Sequence, residues 1–239
     1  MKVSIVVPAY NEEHTIAKTL EGLKKQTYKE IELIVVNNNS KDKTGEIAEQ
    51  YCDNVFLETK PGYINAVRRG AKEATGDIIA FCDADSVYPQ YWLELAVKTF
   101  EKNPDAVVVY GTADTYDASV LGNYFNGLFY SLFLRISRSL GLDNTSGFNF
   151  LMKKDIYEKV GGYDPAYQKM SPDIELGKRL KEQGKIVFVP SLKVSSSHRR
   201  FKEGGKLKTT FMFIKAWWSM LRNRLPEASY DEYNQGAPN

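Results

Sequence analysis

The chain has 239 residues, 43% hydrophobic and 26% charged, enough for a substantial core in one large domain or two small ones. Its 32 basic and 30 acidic residues leave a net charge of +2, a balance that points to no polyanionic partner, and no nucleic-acid partner is expected. Two cysteines, Cys52 and Cys82, exclude a disulfide framework.

Both cysteines read as reduced small hydrophobes of an intracellular protein. With no signal-like N-terminus and no apolar run long enough to span a bilayer, the expected location is the cytoplasm. Peripheral contact with the cytoplasmic face of a membrane is the alternative.

Val3-Ser4-Ile5-Val6-Val7 is expected to be a buried first strand closed by Pro8. Asn11 then caps a helix, with Glu12 and Glu13 in its first turn, where the macrodipole favours acids. Ile16, Leu20 and Leu23 form the apolar stripe of that helix. The second strand, Ile31 to Val36, runs into Asn37-Asn38-Asn39-Ser40-Lys41-Asp42, all residues that favour turns and bond their own backbone. Next come a helix through Ile47 and Ala48, a short strand near Val55-Phe56-Leu57, and a basic helix with Arg68 and Arg69 that ends near Gly76. Asp77 to Cys82 is then a strand buried on both faces, leading into Asp83-Ala84-Asp85.

Alternation along an extended chain would aim Asp83 and Asp85 the same way. Two hard oxygen ligands so placed repel each other unless a cation such as Mg2+ or Mn2+ lies between them. The competing reading is a solvated strand end with a capping acid. Strand–helix alternation predicts a parallel sheet, and ligands of such sheets bind beyond the carboxyl ends of the strands. Ala9-Tyr10-Asn11, Asn37 to Asp42 and Asp83 to Asp85 all fall at such ends.

In the second half, Pro89 opens a helix through Trp92, Leu95, Ala96 and Phe100, and Val107 to Tyr110 is a strand. Leu121, Phe125, Leu128, Phe129, Leu132, Phe133, Ile136 and Leu140 recur at helical spacing, a wide face expected to be core, with a membrane-surface role as the alternative. Gly147 to Met152 resembles a strand, and Gly161-Gly162-Tyr163-Asp164-Pro165 a tight turn. Ser171 caps a helix that has Pro172 at its first position and ends at Gly184, and Ile186 to Val189 is a strand. The tail carries Phe211, Phe213, Ile214, Trp217, Trp218 and Met220 flanked by Lys206, Lys208, Lys215, Arg222 and Arg224. That composition suits a membrane interface, packing on the long aromatic helix, or a dimer contact.

Val6-Val7-Pro8-Ala9-Tyr10-Asn11-Glu12, Val35 to Asp42, Asp83-Ala84-Asp85, Gly161-Gly162-Tyr163-Asp164 and Pro172-Asp173-Ile174-Glu175-Leu176 occur in that order, followed by Arg179-Leu180. The set resembles the inverting, metal-dependent family 2 glycosyltransferases of the GT-A fold, over about residues 3 to 200. The resemblance implies an α/β, Rossmann-like fold: a mostly parallel central sheet flanked by helices, with a smaller acceptor-side subdomain. Residues 1–115 would form the nucleotide-sugar-binding half, 116–205 the acceptor-binding half, and 206–239 an amphipathic tail.

It also implies sugar transfer from a UDP- or GDP-linked donor to a glycan or lipid acceptor, with Mn2+ or Mg2+ as cofactor. Asp85 is then the direct metal ligand, Asp83 a second ligand or a donor contact, and His198 a further candidate ligand. Pro8, Ala9, Tyr10, Glu12, Asn38, Arg68, Ala84, Arg199 and Arg200 fall in the donor site. Relatives carry paired aspartates where this chain has Asn37 and Asn38, so an amide oxygen replaces the acid that would read the base. Asp173 is the expected base, kept ionised by the helix dipole but weakened by it, and Glu175 is the runner-up. The family's Glu-Asp pair is Pro172-Asp173 here. Three alternatives stand beside this reading: a polyprenyl phosphate glycosyltransferase, a nucleotidyltransferase, and a non-catalytic nucleotide-sugar-binding protein.

Overall fold

The computed structural model describes residues 1–116, 119–167, 169–197 and 206–227. The first half alternates strand and helix: β1 (Val3–Ala9), α1 (Ile16–Lys24), β2 (Ile31–Asn37), α2 (Thr44–Glu49), β3 (Val55–Leu57), α3 (Tyr63–Glu73) and β4 (Ile78–Phe81). Then follow β5 (Ser86–Val87), α4 (Trp92–Lys102), β6 (Ala106–Thr115), α5 (Val120–Ser139), β7 (Phe150–Lys153), α6 (Lys154–Lys159), α7 (Pro172–Lys181), β8 (Lys185–Ser196) and α8 (Lys206–Leu221).

Among the described residues the strands form one sheet in the order β3-β2-β1-β4-β7-β6-β8-β5. β1 to β4 are mutually parallel, whereas β7 runs antiparallel to both β4 and β6, and β5 antiparallel to β8. The sheet therefore continues across both halves of the chain.

Period-two alternation divides its residues between two cores. Val3, Ile5, Val7, Ile78 and Ala80 face α1 and α4, with Leu20, Leu23, Trp92 and Phe100. Val6, Ile34, Val36, Ile79 and Phe81 face α3 and α7, with Val67, Tyr163, Leu176 and Leu180. Buried Asn149 pins the centre: its Oδ1 accepts from Trp92 Nε1 (2.9 Å), and its Nδ2 donates to the carbonyls of Thr112 and Leu192 (2.9 and 2.7 Å). Opposite the strand ends that carry the motifs, Glu32 gathers Lys2, Ser4 and Thr75. Desolvation pushes its carboxyl up, but these hydrogen bonds prevail and hold it at about 2.

Several local expectations change. The first helix begins at Ile16, because Asn11 adopts a left-handed conformation (φ 53°) and its Oδ1 accepts from Lys41 N (3.0 Å) instead of capping. Glu12 and Glu13 accordingly sit in a turn before the helix. Ser171 occupies the N-cap position of α7, but its backbone is left-handed (φ 62°) and its side chain makes no cap bond. α7 ends at Lys181, and β8 is three times the expected strand, passing through irregularities in its pairing with β6.

The largest change concerns α5. α5 packs one side on β6, where Gly127 lies against Ala113 and Asp114 and Asn123 Oδ1 accepts from Thr115 N (2.8 Å), and it buries Leu134 and Ser137. Phe125, Leu128, Phe129, Leu132, Ile136 and Leu140, expected in the core, are exposed. α8 docks on α5 through Phe133 and Trp217 (ring centroids 5.4 Å apart) and a bond from Trp217 Nε1 to Ser137 Oγ (2.9 Å). Met220 packs with Leu142 and Ile174, while Phe211, Ile214 and Trp218 remain exposed beside the α5 face. No helix among the described residues is long and apolar enough to cross a membrane.

Candidate active site

Three strand ends make one edge. Asn38 N donates to Ala9 O (2.8 Å), Asn11 N to Ser40 Oγ (3.1 Å) and Glu12 N to Thr44 Oγ1 (2.7 Å), lacing the loops after β1 and β2 together. Left-handed backbone at Asn11 and Asn39 (φ 53° and 58°) explains the asparagine-rich sequence, since Asn tolerates this region better than most residues. Pro8 and Ala9 lie in register with Val36 and Asn37. Tyr10 stands 51% exposed just beyond, and Glu12 is buried, accepting from Thr15 Oγ1 (2.7 Å).

Asn38 is largely engaged. Its Nδ2 donates to the carbonyls of Glu58 and Lys60 (3.1 and 2.7 Å), and its Oδ1 accepts from Gly62 N (2.9 Å). Both amide hydrogens brace the loop before α3, and a second lone pair on Oδ1 is what a base would find. Arg68 is also engaged, donating to the carbonyls of Tyr163 and Gly161, so it ties α3 to the Gly161–Tyr163 turn.

At the third strand end, extended pairing stops at Phe81, and Ala84 and Asp85 form a turn. The alternation expected to aim both carboxylates alike therefore ends before them. Thr19 Oγ1 fastens this turn by bonding Ala84 O and Ser86 O (2.9 and 2.7 Å). Asp85 is 6% exposed and Asp83 half-buried. The β5–β8 pairing brings Ser197 N against Asp85 O (3.2 Å). His198, Arg199 and Arg200 lie outside the described residues.

Among the described residues no group of three or more His, Cys, Asp or Glu side chains converges as a metal cage. A pair of carboxylates on a pinned turn still fits a hard divalent cation whose other ligands are water and diphosphate oxygens, the usual manner for Mg2+.

Two sets of hydrogen bonds, joined by the Gly147–Phe148 backbone, connect the acidic turn to Asp173. Asp83 N donates to Tyr88 Oη (3.0 Å), and Tyr88 Oη donates to Phe148 O (2.9 Å). Gly147, the residue before Phe148, donates its N–H to the Asp173 carboxylate. Asp173 stands in the first turn of α7, and Thr145 Oγ1 holds its carbonyl at 2.6 Å.

Burial raises its pKa, an effect only partly offset by hydrogen bonds from Tyr163, Gly147 and Tyr63. Burial thus acts against the lowering expected from the helix dipole at this position. Glu175 is paired with Arg179 through two bonds (2.7 and 2.6 Å), and the same guanidinium holds the carbonyls of Val160 and Gly162 (both 2.8 Å). Sequence reading missed Tyr63, Tyr88 and Gly147. No local signal marks them, since Tyr63 and Asp173 are 110 residues apart.

The model of one protein family, described as glycosyl transferase family 2, matches residues 4–161. A glucosyl-dolichyl phosphate glucuronosyltransferase of Haloferax volcanii is 33% identical over 176 residues, 69% of this chain and 56% of that protein. A poly-beta-1,6-N-acetyl-D-glucosamine synthase of Staphylococcus epidermidis is 31% identical over 68% of this chain and 42% of its own length. The chain spans about half the length of such curated relatives.

Among solved structures, a mannosyltransferase from Pyrobaculum calidifontis in complex with GDP-Man and Mn2+ superposes with a TM-score of 0.69 at 19% identity, covering 89% of this chain and 64% of that one. Glucosyl-3-phosphoglycerate synthase from Mycobacterium tuberculosis, in complex with Mn2+, UDP and glucosyl-3-phosphoglycerate, gives 0.66 at 20% identity over 95% and 81%. The fold is the GT-A fold of these transferases.

Proposed function

The chain belongs to glycosyl transferase family 2, and on that premise we propose that it transfers a sugar from a UDP- or GDP-linked donor to a hydroxyl of a glycan or glycolipid, with inversion at the anomeric carbon. The observation that carries this reading is the Tyr88 and Gly147–Phe148 linkage, by hydrogen bonds and backbone, between the Asp83 turn and Asp173. It couples an acidic turn suited to a diphosphate-bound cation with a carboxylate suited to take a proton.

Asp85 and Asp83 would hold Mn2+ or Mg2+, which neutralises charge on a departing nucleoside diphosphate. Exposed Tyr10 would stack on the base, and the second lone pair of Asn38 Oδ1 would accept from it. Pro8, Ala9, Glu12 and Ala84 shape the donor pocket. Arg199 and Arg200 serve the diphosphate, with His198 as a further metal ligand. Asp173 accepts the proton of the attacking hydroxyl. Arg68 acts on the site through the carbonyls of Gly161 and Tyr163, and Glu175 through Arg179.

With UDP- and GDP-linked sugars, the protein is expected to release nucleoside diphosphate in Mn2+ and to lose at least about 10-fold of that rate in EDTA. Release of pyrophosphate from a nucleoside triphosphate supplied with a sugar 1-phosphate would instead indicate a nucleotidyltransferase, and binding without turnover a non-catalytic protein.

The exposed faces of α5 and α8 favour a lipid-linked acceptor presented at a membrane surface in the cytoplasm. Phe125, Phe129, Phe211, Ile214 and Trp218 are exposed apolar side chains of these two helices, which also expose Arg135 and Lys215, with Arg222 over the Trp218 ring. The Haloferax relative bears the name of an enzyme acting on glucosyl-dolichyl phosphate. The protein should float with anionic liposomes, and Phe129→Asp with Trp218→Asp should reduce the bound fraction several-fold. Equal flotation of the two proteins would remove this face from membrane binding.

A further inference from the structure

Phenols surround the carboxylate of Asp173. Tyr163 Oη donates to its Oδ1 at 2.5 Å, and Tyr63 Oη to the same oxygen at 3.3 Å. The Tyr163 ring is 1% exposed and sits edge-on to Tyr63 (6.1 Å, 84°) and Phe81 (5.4 Å, 73°), so its hydroxyl has little freedom. From α5, Tyr130 lies close enough to feel the Asp173 charge while sharing a hydrogen bond with Ser146 Oγ (3.1 Å). Tyr167 does likewise while donating to Met170 O (2.8 Å).

The charged groups on the neighbouring elements are engaged elsewhere: Glu175 with Arg179, and Arg68 with backbone carbonyls. Gly147 completes the enclosure, because a Cβ there would fall 2.2 Å from Tyr63 Oη and 3.1 Å from Asp173 Oδ1. Only a residue without a side chain lets phenol, amide and carboxylate meet.

We propose that Tyr163 and Tyr63 are positioning residues for Asp173: they fix Oδ1 and leave Oδ2, bonded to neither phenol, to take the proton of the acceptor hydroxyl. The inference rests on the reading of Asp173 as the base. In the step concerned, the hydroxyl proton passes to Oδ2 as its oxygen bonds the anomeric carbon. The bond from that carbon to the diphosphate oxygen breaks, and its electron pair leaves with the nucleoside diphosphate. Two donors on one oxygen hold the carboxyl plane and favour the ionised form, against the burial that disfavours it.

The test is a carbon-13 NMR titration of the aspartate carboxyls in the full chain, with the Asp173 signal assigned by its loss in Asp173→Asn. Tyr163→Phe keeps the buried ring and removes one donor, so the Asp173 midpoint should move up by about one pH unit. The acidic limb of kcat/KM should follow it, with donor KM unchanged. Tyr63→Phe, at a half-buried site with a longer bond, should move the midpoint in the same direction by less, and it carries the test if Tyr163→Phe fails to fold. An unmoved midpoint in a folded variant overturns the proposal. Near-normal transfer by Asp173→Asn would instead overturn the base assignment, and the titration would still report whether the phenols hold the carboxylate.

Discussion

Asp173→Asn is expected to lower kcat for transfer to a hydroxyl by about 1,000-fold while donor affinity stays within about twofold of the wild type. The size follows from the chemistry. A sugar hydroxyl is a poor nucleophile until its proton leaves, and a positioned base contributes between about 100- and 10,000-fold. The enclosure of Asp173 places the expectation inside that range, since burial raises its proton affinity above that of an exposed aspartate. Asparagine is nearly isosteric and its Oδ1 can still accept from Tyr163 and Tyr63, so the fold and the phenol contacts should survive. Steady-state kinetics with a hydroxyl acceptor, together with a thermal melt of the variant, checks this. Near-normal turnover would reject the base and favour a phosphate acceptor, which is already ionised and needs none.

Much of the fold could be read from local pattern because the strands are continuous apolar runs. Val3–Ala9, Ile31–Asn37 and Ile78–Phe81 are hydrophobic along both faces, which is what helices on two sides of a sheet require. The α5 face shows where such reading stops. Periodicity reveals that a helix has an apolar side, but α5 rests on β6 through small and polar residues such as Gly127 and Asn123, and only tertiary packing decides that its apolar side faces out.

The same limit applies to charge. A first-turn position announces the dipole at Asp173, whereas the burial that raises its pKa, and the bonds from Tyr63 and Gly147 that oppose this rise, depend on residues distant in sequence. Asn38 likewise looked open to a ligand at the end of β2. Its partners Glu58, Lys60 and Gly62 lie 20 to 24 residues further on, beyond any local pattern. The acidic turn lies between these cases. Its position at a strand end was legible, but its turn geometry and its fastening by Thr19 were not.

Asp85→Ala carries the second large effect. Asp85 is almost wholly enclosed, on a turn held by Thr19 and by Ser197 N at its carbonyl. A carboxylate carried on so fixed a backbone has less freedom to lose on binding a cation, which favours tight coordination. Groups that merely orient a metal's ligands are worth about 10- to 100-fold in affinity, so removal of a direct ligand should cost at least about 100-fold in Mn2+-dependent nucleotide binding. Loss of the cation's charge on the leaving diphosphate should lower turnover further, because that interaction strengthens as the glycosidic bond breaks. Asp83→Ala is the informative companion, since Asp83 contributes its backbone N–H to Tyr88 whatever its side chain does.

The central claim is that the Asp83-Ala84-Asp85 turn binds a nucleoside diphosphate through a divalent cation. Titration calorimetry of UDP and GDP into the wild type and Asp85→Ala, each with and without Mn2+, tests it most directly. The account predicts binding of at least one nucleotide to the wild type only when Mn2+ is present, and a loss of at least about 100-fold in Asp85→Ala. Equal affinity in both proteins, or binding indifferent to Mn2+, would contradict it.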